Sequence, residues 1–317
     1  DKVLEEARRN GLKVVFLWFG AWKNSMSCYA PLWFKQDFRK YPRAYTREGK
    51  PLEIASAFSE NVFQADNRAF KAWLGHIAEA DKDHGTVIMV QIENEYGSYG
   101  DDKQYLAAIR DGLISRGVDV PLVTSDGPEH DMLACGKVDG VFQTGNFGSH
   151  TKERFAYMKE MGITPLMCME YWCGWFDHWG CGKHAHTDAA PSAKDFGDAL
   201  DLGHINIYMF HGGTSFGLMN GSNYYDKLTP DVTSYDYDAL LTEDGRITEK
   251  YRLFKAAIEA RKGPAPVIDI PEIPRKAYGE AAFVAAESLT AKSLISKRIL
   301  LFILDLLVRL LDFLKFF

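Results

Sequence analysis

The stretch "VIMVQIENEYGSYG", Val87 to Gly100, decides the fold. An apolar run of strand length passes directly into two carboxylates bracketing an amide, Glu93-Asn94-Glu95, and then into tyrosine and glycine. An apolar run without alternation reads as a strand covered on both faces, the signature of a parallel sheet with helices on either side. Acid at the end of such a strand has no packing purpose. In α/β folds, however, the C-terminal ends of parallel strands are where ligand-handling residues collect.

Working outward, five more runs have the same character: "KVVFLWF" (13–19), "PLVTS" (121–125), "GVFQTG" (140–145), "PLMCMEY" (165–171) and "INIYMF" (205–210). With "TVIMVQIE" (86–93) they make six strands, and amphipathic segments at 65–80, 102–116, 151–161, 192–203 and 248–262 read as helices between and after them. Six strands over about 200 residues match the roughly 30-plus residues of a βαβ unit. An open doubly wound sheet and a barrel both fit that count. No strand is followed by a G-x-G-x-x-G or G-x-x-x-x-G-K loop, which removes the usual reason for an open nucleotide-binding sheet. Polar and aromatic residues gather after the strands, in "QIENEYG", "TSDG", "MEYW" and "MFHGGTSFG", as they do at the mouth of a (β/α)8 barrel. The expected fold is therefore an α/β (β/α)8 TIM-type barrel. Because the opening "DKVLEEARRNGLKVV" (1–15) reads as a helix leading into a strand, the first two βα units are expected upstream, with 1–262 as a partial barrel.

The 317 residues are 46% hydrophobic and 25% charged, which is enough apolar content for a packed core. A net charge of −6 without a basic cluster argues against nucleic acid as a partner. Five cysteines without C-x-x-C spacing imply neither a disulfide framework nor a zinc knuckle. Four prolines (264, 266, 271, 274) mark 263–290 as an extended linker. Residues 291–317 read as an amphipathic hydrophobic helix in which Arg298, Asp305, Arg309 and Asp312 form a narrow polar stripe. Its uncharged core, Ile299–Leu304, is far below the ~20 residues that span a bilayer. Docking on an apolar surface, contact with a membrane interface and aggregation all remain open for it.

In a continued strand Glu93 and Glu95 would share a face, about 6.6 Å apart at ~3.3 Å per residue. Two such acids approach a ligand from one side, so a carboxylate pair that must flank a reacting carbon needs a member from another strand. Glu170 in "PLMCMEYWCGWFDHWG" (165–180) again follows an apolar run and precedes aromatics. Asp126 is the rival, but Ser-Asp-Gly-Pro is strong turn chemistry and a structural role is expected. With two strands upstream, Glu95 closes the fourth barrel strand and Glu170 the seventh, across the mouth from each other.

Four ordered motifs, "VIMVQIENEYGSYG", "MEYWCGWFDHWG" (169–180), "INIYMFHGGTSFGLMNG" (205–221) and "TSYDYDALLTEDGRITEKY" (233–251), resemble the signatures of glycoside hydrolase family 35, retaining exo-acting β-galactosidases with a (β/α)8 catalytic barrel. The likeness runs from about Gly11 to Arg261. It implies Glu95 as acid/base, held protonated by its apolar strand and by the negative charge of Glu170, and Glu170 as nucleophile. It further implies that Asn94 holds the sugar 2-hydroxyl, that Tyr208, Tyr235 and Tyr237 line the sugar subsite, that Trp172 stacks beside the nucleophile and that Glu93 supports the site. The implied substrate is a terminal β-galactoside. One departure stands out: Gly20-Ala21-Trp22-Lys23 replaces the family's Ala-Glu-Trp element, so a sugar-hydroxyl acceptor is lost and another β-linked sugar becomes an alternative. A catalytically inactive, sugar-binding barrel remnant is the non-enzymatic alternative.

Other motifs carry less. "CGKHAHTD" (181–188) places His184 and His186 on a glycine-flanked loop without strand-borne partners, so no metal and no cofactor is expected. "HGGTSFG" (211–217) lacks the helix start and lysine of a phosphate nest and reads as a tight turn. His178 beside Asp177 reads as structural.

Overall fold

The computed structural model describes residues 1–18, 30–56, 59–82, 85–216, 220–224, 226–271, 274–280 and 282. They fall into two units, Asp1–Pro271 and Glu272–Phe317. In the second unit the described residues, 274–280 and 282, have no regular secondary structure. The helix expected over 291–317 and the Gly20–Lys23 departure lie outside the described residues. No described helix is long and apolar enough to cross a membrane.

Six strands of the first unit form one parallel sheet: β1 (Val14–Trp18), β4 (Val87–Ile92), β5 (Leu122–Asp126), β6 (Phe142–Phe147), β7 (Met167–Trp172) and β8 (His204–Tyr208), in that spatial order. The helices α1 (Lys2–Arg9), α3 (Glu60–Ala80), α4 (Lys103–Ser115), α5 (His130–Gly136), α6 (Thr151–Glu160), α7 (Ala189–Leu202) and α8 (Glu249–Lys262) alternate with them. All six strands stand where the apolar runs place them. Each strand is followed by its neighbour in the sheet, the regular progression of a β/α barrel wall. Among the described residues β1 is paired only with β4, and β8 only with β7.

Side chains sort into an inner and an outer core. Val15, Met89, Val123, Phe142, Met167 and Met169, drawn from five strands, form the inner cluster. Outside, Val87, Val90 and Ile92 pack with Val62, Phe70 and Leu74 of α3 and Leu106, Ile109 and Leu113 of α4. Cys168, Tyr171 and Cys173 pack with Phe155 of α6, Phe196 of α7 and Phe254 of α8. Strands apolar on both faces are what this two-sided burial demands, which is why they read as continuous runs.

Elements too short for a periodic signal were not foreseen: α2 (Leu32–Lys35), the hairpin of β2 (Arg43–Tyr45) with β3 (Pro51–Ala55), α5, and the hairpin of β9 (Ser222–Tyr224) with β10 (Leu228–Pro230). All sit in the excursions between strands and helices.

The outer layer has a clear keystone. Phe196 and Phe254 stack at 4.2 Å and 6°, and Tyr171 meets both rings edge-on. Phe254→Ala should cost about 3–5 kcal/mol, the range for emptying a buried aromatic site, measured as a fall in the urea midpoint with unchanged slope.

Candidate active site

The strand carrying the two acids ends earlier than the sequence suggests. β4 stops at Ile92, and both Glu93 (φ 53°) and Glu95 (φ 51°) adopt left-handed backbone. The shared-face arrangement expected for them is therefore replaced by a corkscrew that sends their side chains apart. Glu93 is fully buried and accepts a hydrogen bond from Tyr105 Oη on α4, so it faces the outer helix layer. From there it anchors the turn. Glu95 instead accepts a hydrogen bond from Asn146 Nδ2 at 3.0 Å. Left-handed conformation at two non-glycine residues is costly and persists only where surroundings enforce it. Here Glu93 N donates to Trp18 O (2.6 Å) and Glu95 N to Ser125 O (2.9 Å), tying the turn to β1 and β5.

Asn146, fully buried on β6, is the hub. Its Oδ1 accepts from Ser125 Oγ on β5 and from Glu170 N on β7, the latter at 3.1 Å. One amide side chain thus joins the ends of β4, β5 and β7. The β6–β7 ladder shifts register between Gly145 and Asn146, and the β7–β8 ladder between Cys168 and Tyr171. On β7, Met167 and Met169 belong to the inner core while Cys168 and Tyr171 belong to the outer one. This irregularity brings Glu170 opposite Asn146, a re-aiming for which bulges near active sites are known. Trp172 Nε1 donates to Glu170 Oε2 at 3.1 Å, a hydrogen bond where stacking was expected.

The tyrosines assemble beside Glu170. Tyr208 Oη and Tyr235 Oη are 3.1 Å apart, the Tyr235 and Tyr237 rings stack at 5.4 Å, and Tyr208 meets Tyr237 edge-on at 5.3 Å. Burial, with the neighbouring phenols and Glu170, pushes the Tyr235 and Tyr237 hydroxyls well above the ordinary phenol range, so both stay neutral donors. Tyr237 is buried behind the half-buried Tyr208 and Tyr235. Their loop lies against the ends of β7 and β8 because two glycines leave room: a Cβ at Gly174 would sit 1.8 Å from Tyr237 O, and one at Gly212 1.8 Å from Tyr235 O. Asn94 is half-buried, with Gln91 Nε2 3.4 Å from its Oδ1.

Two supporting residues, Asn146 and Lys250, carried no signal that sequence reasoning could use. Asn146 lies one residue past the 140–145 run, and only its neighbours across two ladders reveal it. Lys250 on α8 is buried and donates to Cys173 O (2.7 Å), Asp238 O (2.6 Å) and Asp238 Oδ2 (2.7 Å), clamping the tyrosine loop to the end of β7. Asp126 accepts Gly97 N–H at 2.7 Å and so fixes the turn that follows Glu95, which gives the expected structural aspartate a definite task. The 181–188 loop pairs His184 with Asp177 at 2.7 Å, and among the described residues no three His, Cys, Asp or Glu side chains are grouped to hold a metal.

A parallel β/α wall with two glutamates from separate strand ends, linked by one amide and faced by aromatic rings, is the layout of a barrel glycosidase. The chain belongs to glycosyl hydrolases family 35, whose description matches residues 60–261. It is 46% identical over 190 residues to a β-galactosidase of Xanthomonas manihotis, covering 57% of this chain and 31% of that protein. It is 44% identical over 197 residues to human β-galactosidase-1-like protein 2 (60% and 30%) and 39% identical over 254 residues to a Bos taurus β-galactosidase (75% and 37%). The chain spans about a third of the length of these relatives. In fold it is similar to a β-galactosidase from Rahnella sp. R3, with a TM-score of 0.55, 13% identity, and coverage of 81% of this chain and 47% of that one.

Burial raises the Asp126 carboxyl from 3.8 to about 7, with Gly97 N–H and Lys103 opposing and Glu95 adding to the rise; burial likewise raises Asp66 on α3 to about 6. Between 3.8 and those values the folded chain holds protons that the unfolded chain releases. Their contribution to stability is complete below pH 4 and is lost as pH rises through 6 and 7. Asp126→Asn should therefore flatten the pH dependence, removing on the order of 2–3 kcal/mol of the wild-type loss between pH 5 and pH 8 in urea titrations. Lys250→Met should cost about 1–3 kcal/mol, because the buried Cys173 carbonyl loses its donor; calorimetric unfolding at pH 7 measures it.

Proposed function

We propose that this chain carries the catalytic centre of a retaining exo-β-galactosidase that works by double displacement on two glutamates. The observation that supports this most is the Glu95–Asn146–Glu170 linkage, which ties the Glu95 carboxylate through one amide to the backbone N–H of Glu170 at the strand ends. In the first step Glu95 gives its proton to the glycosidic oxygen while a Glu170 carboxylate oxygen attacks the anomeric carbon. The C–O bond breaks towards the departing alcohol, and a galactosyl ester forms on Glu170. In the second step Glu95, now a carboxylate, takes a proton from water as that water attacks the same carbon. Glu170 is released and the β configuration is restored.

The surroundings suit those roles. Trp172 holds one oxygen of the nucleophile and thereby orients the other. Gln91 engages the Asn94 carbonyl, which turns the Asn94 amide nitrogen towards a substrate hydroxyl; a bond to the 2-hydroxyl strengthens as positive charge develops at the anomeric carbon. Tyr208 and Tyr235 offer neutral hydroxyls and ring faces to the sugar. The matched family favours β-galactosides as the substrate class.

A second reading, sugar binding without turnover, is favoured by one observation: β1 and β8 each have a single partner strand among the described residues. Hydrolysis of a chromogenic β-galactoside separates the two. The enzyme reading expects Glu170→Gln to abolish turnover. It expects Glu95→Gly to lose about 10²–10⁴-fold on substrates with poor leaving groups and, on a substrate with an activated leaving group, to regain rate with azide, yielding β-galactosyl azide. A folded wild type that binds galactose by calorimetry yet shows background turnover establishes binding alone.

A further inference from the structure

The Asn146 side chain cannot be reversed. Its Oδ1 faces Glu170 N, a group that only donates, so the nitrogen and oxygen of the amide are assigned by chemistry as well as by position. The amide nitrogen must then face Glu95 Oε1 as a donor, at 3.0 Å. A carboxylic acid presents one carbonyl oxygen and one hydroxyl, and the carbonyl oxygen is the better acceptor. With Oε1 committed to accepting, the neutral acid places its proton on Oε2.

We propose that Asn146 is a positioning residue that selects which oxygen of Glu95 carries the catalytic proton, so that proton donation and recovery both run through Oε2. The assignment rests on the two-glutamate reading and deepens it. On donation the Oε2–H bond breaks and an O–H bond forms on the departing oxygen, which receives the electron pair of the cleaved bond to the anomeric carbon. The charge left on Glu95 is then shared with Oε1, where the Asn146 N–H already sits. In the hydrolytic step Oε2 takes a proton from the attacking water. Because the same amide oxygen accepts Glu170 N–H, the acid is registered against the nucleophile's own backbone.

Asn146→Asp tests this with an isosteric change. One carboxylate oxygen keeps the Ser125 and Glu170 contacts, while the other turns the donor facing Oε1 into an acceptor. The shared proton is then drawn to Oε1, away from the leaving group. The readout is the ratio of kcat/KM for methyl β-galactoside, whose poor leaving group needs the proton, to that for 2,4-dinitrophenyl β-galactoside, whose leaving group does not. The ratio should fall about 100-fold, within the range of general acid catalysis. Asn146→Ala, which introduces no buried charge, removes the donor at Oε1 and should lower the ratio about 5- to 10-fold. Labelling of Glu170 by 2,4-dinitrophenyl 2-deoxy-2-fluoro-β-galactoside, read by mass spectrometry, should persist in Asn146→Asp. An unchanged ratio in whichever variants fold overturns the assignment while leaving the two glutamates intact. A folded wild type that neither turns over nor becomes labelled overturns the two-glutamate reading and the assignment with it.

Discussion

The constraint on which the site depends is the burial of one amide. Asn146 has no access to water, so each of its hydrogen-bonding groups must be met by protein, and the groups that meet it come from three other strand ends. Leaving any of them unmatched would cost about 1–3 kcal/mol of desolvation. Satisfying the amide and aligning Glu95 with Glu170 are thus the same event. The corkscrew at Glu93–Glu95 and the irregular register of β7 are the backbone adjustments that make it possible.

Around that hub the wall is held from outside. Tyr105 on α4 secures Glu93, Asp126 on β5 secures the turn after Glu95, and Lys250 on α8 secures the tyrosine loop to the end of β7. These contacts are polar groups buried beneath the strand ends. Their placement separates two tasks. Residues near the mouth present acid, amide and phenol, and residues one layer out fix where those groups point.

Much of the architecture was legible. Continuous apolar runs of strand length, spaced by amphipathic segments, can be buried only between an inner core and an outer helix layer, and all six fall on the observed parallel strands. Glu95 and Glu170 stood out because acid at the end of such a run contributes nothing to packing. What failed was local geometry at the strand end. Extending β4 through Glu93 gave a two-residue periodicity that two left-handed residues abolish, and no residue type in "IENEYG" announces that conformation. The tyrosines were found through motif resemblance, and the buried position of Tyr237 behind Tyr235 emerged only from packing.

The sequence by itself determined the strand and helix alternation, the covered parallel sheet and the two acids, because each of these rests on hydrophobic period and residue type along the chain. Tertiary structure alone decided that Glu93 turns outward to Tyr105, that a single asparagine joins Glu95 to Glu170, and that Lys250 locks the tyrosine loop. Those relations hold between residues 12 to 77 positions apart, and hydrogen-bond partners at such separations are fixed by strand register and helix packing, which carry no local signature.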